Sequence, residues 1–375
     1  MSDSDAPEID RTGDAPHPRD TRRLFGQDTA EAAFLEALNS DRLHHGWMIT
    51  GPKGVGKATL AWRIARALIS DPPGADDGGL FGAPPPRTSL DTDPEHPVIR
   101  RIAAGAEAGL VRLTRAWDDK TKRFKADITV DEVRKLKSRF ALAPADGGWR
   151  VAIIDAADEM NTAAANALLK LLEEPPARTT LLLVTHQPSR LLTTIRSRCR
   201  LLRCALLGID DMGRALAQAG MADADENPSL AVLAGGSVGR AVQMHEGDGA
   251  ALYGALVSLL GTLPRLDRSR ASKLAEAATG RGSGTQADMI FDMLDLALAR
   301  LARRAVVGLE AEAVPGEAET FAKLAPNEVA ARAWAARAQE IAGRARHGRA
   351  VNLDPGALIL DTLGKLSEVA AKTAT

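Results

Sequence analysis

The stretch Gly51-Pro52-Lys53-Gly54-Val55-Gly56-Lys57-Ala58-Thr59 decides how this chain is read. The apolar run Trp47-Met48-Ile49 leads into it and reads as a short buried strand. Leu60, Ile64, Ala67 and Leu68 follow at helical spacing, so a helix is expected next. Strand, glycine turn and helix form the context of a phosphate-binding loop. Gly51, Gly54 and Gly56 let the backbone curl until its N–H groups, including that of Val55, face phosphate oxygens. The helix N-terminus adds partial positive charge, and Lys57 is placed to reach the outer phosphates.

One position breaks the pattern. The residue after the lysine normally gives a hydroxyl to Mg²⁺. Here it is Ala58, whose methyl group cannot ligate a metal. Thr59 is one step further round the helix, better placed for a phosphate than for the metal.

Two more buried strands are expected. Val151-Ala152-Ile153-Ile154 ends at Asp155, where related nucleotidases hold the magnesium shell. The catalytic subset follows that Asp with a Glu, and this chain has Ala156. Asp158 and Glu159 suit the N-terminus of the next helix, which Pro175-Pro176 ends. Leu181-Leu182-Leu183-Val184 ends at Thr185, a candidate γ-phosphate sensor. Thr129, with Glu132 three residues on, reads as a helix cap.

Composition narrows the class. The chain has 375 residues, 45% hydrophobic and 26% charged, with a formal net charge of −1. That is enough chain for two or three domains and carries no global polyelectrolyte signal. Cys199 and Cys204 have no partners at metal spacing, so neither zinc nor any other metal site is expected. Cys199 reads as a small buried hydrophobe. No apolar run approaches about 18 residues, and the acidic start is unlike a secretory leader, so a cytoplasmic protein without membrane contact is expected. Residues 100–139 hold 12 Lys or Arg against 6 Asp or Glu, which suits either a solvated face or a DNA or partner contact.

Three runs together resemble the AAA+ clamp-loader family of bacterial replication, over roughly residues 24–202. They are the phosphate loop, Asn166-Ala167-Leu168-Leu169-Lys170-Leu171-Leu172-Glu173-Glu174-Pro175-Pro176, and Ser197-Arg198-Cys199. The resemblance implies a doubly wound parallel α/β nucleotide-binding core at 21–205, after a disordered tail at 1–20. A helical lid at 206–248 and an all-α collar at 249–375 are then expected. It implies that Arg198 acts in trans on a neighbouring subunit's ATP site. The family's motor subunits have Ser or Thr after the lysine and an Asp-Glu pair; Ala58 and Ala156 instead suggest the rigid, non-hydrolysing member. A catalytically active motor subunit is the alternative. Gly239 stands where motor subunits place a second phosphate-sensing arginine, which puts such a role for Arg240 in doubt. The family's four-cysteine zinc module is missing from the Pro- and Gly-rich insertion at 71–97. Implied partners are the gamma/tau motor ATPases and the delta subunit in a hetero-oligomeric ring, with the sliding clamp and primed DNA reached through the complex. ATP or ADP held weakly without turnover is the cofactor expectation.

Overall fold

The computed structural model describes residues 8–40, 43–70, 86–141, 147–221, 228–279, 284–308, 311–351 and 353–373. Two compact units emerge, Met1–Ala222 with Gly236–Val242, and Asp223–Gly235 with Gln243–Thr375. Of residues 206–248, 206–222 and 236–242 fall in the first unit and the others in the second.

In the first unit, α1 (Asp28–Asn39) precedes β1 (Gly46–Thr50), the phosphate loop and α2 (Lys57–Ser70). Then come α3 (Pro97–Ala103), β2 (Leu110–Leu113), a small hairpin of β3 (Trp117–Asp118) and β4 (Arg123–Phe124), and α4 (Val130–Ala141). β5 (Arg150–Ile154), α5 (Thr162–Glu173), β6 (Thr179–Thr185), α6 (Thr193–Arg196), β7 (Arg200–Arg203) and α7 (Ile209–Gln218) complete it. The main sheet is parallel, in the order β2-β5-β6-β1-β7. β1 lies between β6 and β7, with Met48 opposite Leu183 and Leu201. α4 and α5 pack on the face bearing Met48, Ala152, Ile154, Leu181 and Leu183. The intervening Ile49, Val151, Ile153 and Leu182 are buried too, and α2 lies against β1, β5 and β6. Burial on both faces explains why these strands read as unbroken apolar runs.

Two sequence expectations change here. The tail expected at 1–20 is ordered from residue 8, with His17 buried at 3% exposure; residues 1–7 lie outside the described part. Thr129 does not cap α4 through its hydroxyl, which is buried without a hydrogen-bond partner; its carbonyl accepts Glu132 N at 3.2 Å. Asn161 is the better cap found nearby, its Oδ1 accepting Ala164 N at 2.9 Å to start α5. Most of the 71–97 insertion lies outside the described residues, and its last residue begins α3.

Gly51 fixes the junction of strand and loop. Its φ is +144°, and a Cβ there would sit 2.3 Å from the Cys204 carbonyl oxygen. Gly51→Ala is therefore expected to destabilise the first unit by more than the about 1–3 kcal/mol of backbone strain alone. A thermal melt that matches the parent would refute this.

In the second unit the described residues form helices and their connections, with no strand among them. The unit holds α8 (Pro228–Ala234), α10 (Gly249–Leu260), α11 (Arg268–Ala277), α12 (Gly284–Val307), α13 (Glu317–Leu324), α14 (Glu328–Ala350) and α15 (Pro355–Thr373). Between α8 and α10, α9 (Val238–Glu246) begins in the first unit's segment. Tyr253, Phe321 and Trp334 are fully buried, and Trp334 Nε1 donates to the Leu324 carbonyl at 2.8 Å. Among the described residues, one charged group sits in this core. Glu317, fully buried, accepts from Tyr253 OH at 2.6 Å, Arg300 Nε at 2.6 Å, Arg300 Nη2 at 3.0 Å and Ala313 N at 2.6 Å.

Candidate functional site

The phosphate loop closes over a cleft of about 300 Å³ at the C-terminal edge of the sheet. Lys53, Gly54, Val55, Gly56, Lys57, Ala58 and Thr59 line it, facing Asp155 and Ala156. Gly51 stands behind the cleft: its carbonyl accepts Lys57 Nζ at 2.8 Å, and Pro52's does so at 2.5 Å. The lysine thus lies folded on its own loop. Burial lowers its pKa to about 8, against the opposing pull of Cys204 and Asp155.

Asp155 lines the cleft opposite the loop. Its Oδ1 accepts Ala156 N at 3.0 Å, the first N–H of a sharp turn in which Ala156 has φ +56°. Burial, helped by the charge of Asp10, raises its carboxyl to about 7. The next two acids do structural work. Asp158 Oδ1 accepts His186 N at 3.0 Å, and Glu159 pairs with Arg115 at 2.7 Å.

Thr185 does not reach the cleft. It is fully buried opposite Thr50, and the adjacent Val184 and His186 line the cavity instead. Burial first, and the charge of Lys57 second, hold the His186 imidazole down to about 4, so it is neutral at physiological pH. Sequence reasoning missed His186 because the expected strand ends one residue earlier, at Thr185.

Reasoning also missed the wall built by the N-terminal segment. Ile9, Asp10, Thr12, Pro16 and Pro18 line the cleft. Asp10 Oδ1 meets His17 Nε2 at 3.0 Å and Arg112 Nη1 at 2.7 Å, and His17 stacks edge-on against Trp62. Arg66 donates to the Arg19 and Thr21 carbonyls at 2.5 and 2.8 Å, and Arg63 to that of Arg22 at 2.5 Å. Residues scattered across 102 positions make this contact, so no local motif announces it.

On the opposite wall, Ser237 Oγ donates to the Lys53 carbonyl at 2.8 Å and Gly239 N to that of Gly54 at 3.0 Å. A Cβ on Gly239 would lie 2.9 Å from Gly54 Cα. A side chain at position 239 would therefore require the backbone at Gly54 to shift.

Arg198 stands elsewhere. It follows α6 and precedes β7, whose first residue pairs with Trp47 at the N-terminal end of β1. The phosphate loop leaves the other end, a five-residue strand away, roughly 16 Å at about 3.3 Å per residue. The Arg198 guanidinium is 39% exposed, with Nη2 3.0 Å from Glu173 and Nη1 donating to the Thr194 carbonyl at 3.1 Å. The adjacent Cys199 packs against the core, and burial pushes its thiol up to about 12, as befits an inert hydrophobe.

Residues 26–207 match the family described as DNA polymerase III, delta subunit. The delta' subunit of DNA polymerase III from Pseudomonas aeruginosa is 35% identical over 205 residues, 54% of this chain and 56% of that protein. The gamma/tau subunit from Mycobacterium tuberculosis is 30% identical over 187 residues, 48% of this chain and 28% of its own length. The tau subunit from Escherichia coli is 29% identical over 270 residues, 69% of this chain and 38% of its own length. The chain thus spans about half, or less, of the length of these curated relatives. Among solved structures, a gamma-subunit-related protein from Thermotoga maritima aligns over 90% of this chain and 99% of its own, at 14% identity and a TM-score of 0.36, too low to weigh. The matched segment, just under half of this chain, holds the phosphate loop, the 166–176 run and Arg198, and over it the chain is similar to the DNA polymerase III subunits named delta', gamma/tau and tau.

Proposed function

We propose that this chain is the rigid, delta'-type member of a clamp-loader ring. In that role it hydrolyses no ATP itself and lends Arg198 to a neighbouring motor subunit during loading of a sliding clamp on primed DNA. The position of Arg198 carries the reading. It is exposed, braced by Glu173, and a whole strand away from its own phosphate loop, so any phosphate it serves belongs to another chain. The state of its own cleft supports the same reading. Ala58 offers no metal ligand, Asp155 is turned onto Ala156 N, and Lys57 is folded back on the loop. Gamma/tau motor subunits, a delta subunit, the clamp and primed DNA are the partners this role requires, and any ATP or ADP in the cleft is held without turnover.

The isolated chain is accordingly expected to show no ATP turnover above background. Restoring the hydroxyl alone, Ala58→Thr, leaves it inactive, because the water-orienting acid is also missing, a contribution of about 10²–10⁴-fold. Phosphate release measured with and without Lys57→Ala decides the matter. Robust turnover that Lys57→Ala abolishes would make the chain an active motor subunit instead.

A further inference from the structure

The hairpin of β3 and β4 has no part in the cleft chemistry and is built as a rigid arm. Lys125 N donates to the Ala116 carbonyl at 2.9 Å, and Trp117 meets Phe124 edge-on across the two strands, ring centres 4.9 Å apart. Asp118 Oδ1 accepts both Lys120 N, at 2.9 Å, and Thr121 N, at 3.3 Å, which fixes the turn. Both ends are anchored. The outgoing strand leaves through Ile128, whose N donates to the Glu159 carbonyl at 2.9 Å. The incoming one is held by the Arg115–Glu159 pair at 2.7 Å. The arm therefore springs from the same edge of the sheet as the phosphate loop.

Its surface is cationic. Lys120, Lys122, Arg123 and Lys125 are all exposed. Lys122 is 3.8 Å from Asp119, whereas Lys120, Arg123 and Lys125 make no ion pair among the described residues. Beside these three charges Trp117 and Phe124 remain partly exposed. Unpaired cations next to accessible aromatic rings are the two elements of a sequence-tolerant single-strand contact: phosphates meet the charges and bases stack on the rings. Duplex DNA shows no base faces, so it would leave the rings unused. We propose that this hairpin binds single-stranded DNA. The inference is independent of the Arg198 reading, because it is tested on the isolated full-length chain.

The test is anisotropy of a fluorescein-labelled oligothymidylate longer than about 16 nucleotides, titrated at several salt concentrations. Lys120→Glu, Arg123→Glu and Lys125→Glu together should weaken binding at least tenfold and reduce the log–log salt slope by about 2, the share of three phosphate contacts on a single strand. Circular dichroism of the triple variant checks that it folds, and Trp117→Leu, which keeps an apolar cross-strand partner, should weaken binding without changing the slope. Duplex of equal length should bind more weakly. Failure of the parent to bind, unchanged affinity in the triple variant, or duplex binding as tight as single strand would each overturn the proposal. So would a triple variant that keeps its oligonucleotide affinity but fails to assemble with motor subunits, which would make the arm a protein contact.

Discussion

Replacing Arg198 by alanine is expected to cut ATP turnover at the neighbouring subunit's site by about 10³–10⁵-fold, the effect of losing an arginine finger in other nucleotidases. In the proposed ring the other sites keep their own fingers, so bulk ATPase should fall by that site's share, and clamp loading should fall further if it needs every site. The fold should tolerate the change. Arg198 and Glu173 form an exposed pair, 39% and 48% accessible, and such pairs contribute at most about 1 kcal/mol. Lysine keeps the charge but not the planar fork, so Arg198→Lys should rescue poorly. Glu173→Ala should give a milder defect, because it frees the guanidinium without removing it. A reconstituted complex with Arg198→Ala that hydrolyses ATP and loads clamps like its parent would reduce Arg198 to an ordinary surface cation.

The largest stability effect is expected at Glu317, in the helical unit. Glu317→Ala strips the partner from Arg300, the Tyr253 hydroxyl and Ala313 N–H at once. Breaking a buried ion pair from one side costs about 3–5 kcal/mol. Hydrogen exchange across α10, α12 and α13 reports that unit separately from the α/β core, which a whole-chain melt would not. The pH dependence follows from its carboxyl. Burial alone would raise it, but Arg300 and Tyr253 outweigh burial and hold it below the usual carboxylate range. The unfolded chain therefore takes up this proton first, so the contribution is full above the ordinary Glu value of about 4.3. It is lost as pH falls through the lowered folded value. Exchange protection in Glu317→Ala within about 1 kcal/mol of the parent would refute the assignment.

What the sequence made legible was local. β1, β5 and β6 were readable because a strand buried on both faces must be apolar throughout, and the phosphate loop because glycine spacing dictates its path. Arg198 was found only through its flanking Ser197 and Cys199, and its brace, Glu173, lay unremarked in a second motif. The readings that changed were decided by distant partners. Thr185 has a sensor's position in the chain, but its side chain is enclosed in the sheet beside Thr50 while His186 takes the cavity. Residues 8–20 have the polar composition of a tail, and nothing local shows that Asp10 will meet Arg112.

The way that segment is held has a consequence for how it can change. Arg63 and Arg66 grip it through the carbonyls of Arg19, Thr21 and Arg22, groups that any amino acid supplies equally. The instructions for this stretch of its path are therefore written in α2, beside those that Asp10 and His17 carry in the segment itself. Substitutions at these three positions leave the grip intact, whereas loss of either arginine removes part of it and leaves the wall of the cleft to the other arginine and to Asp10 and His17. Across descendants of this chain, the route over the cleft should outlast the spelling of the residues that follow it, and Arg63 and Arg66 should drift more slowly than the strand of peptide they restrain.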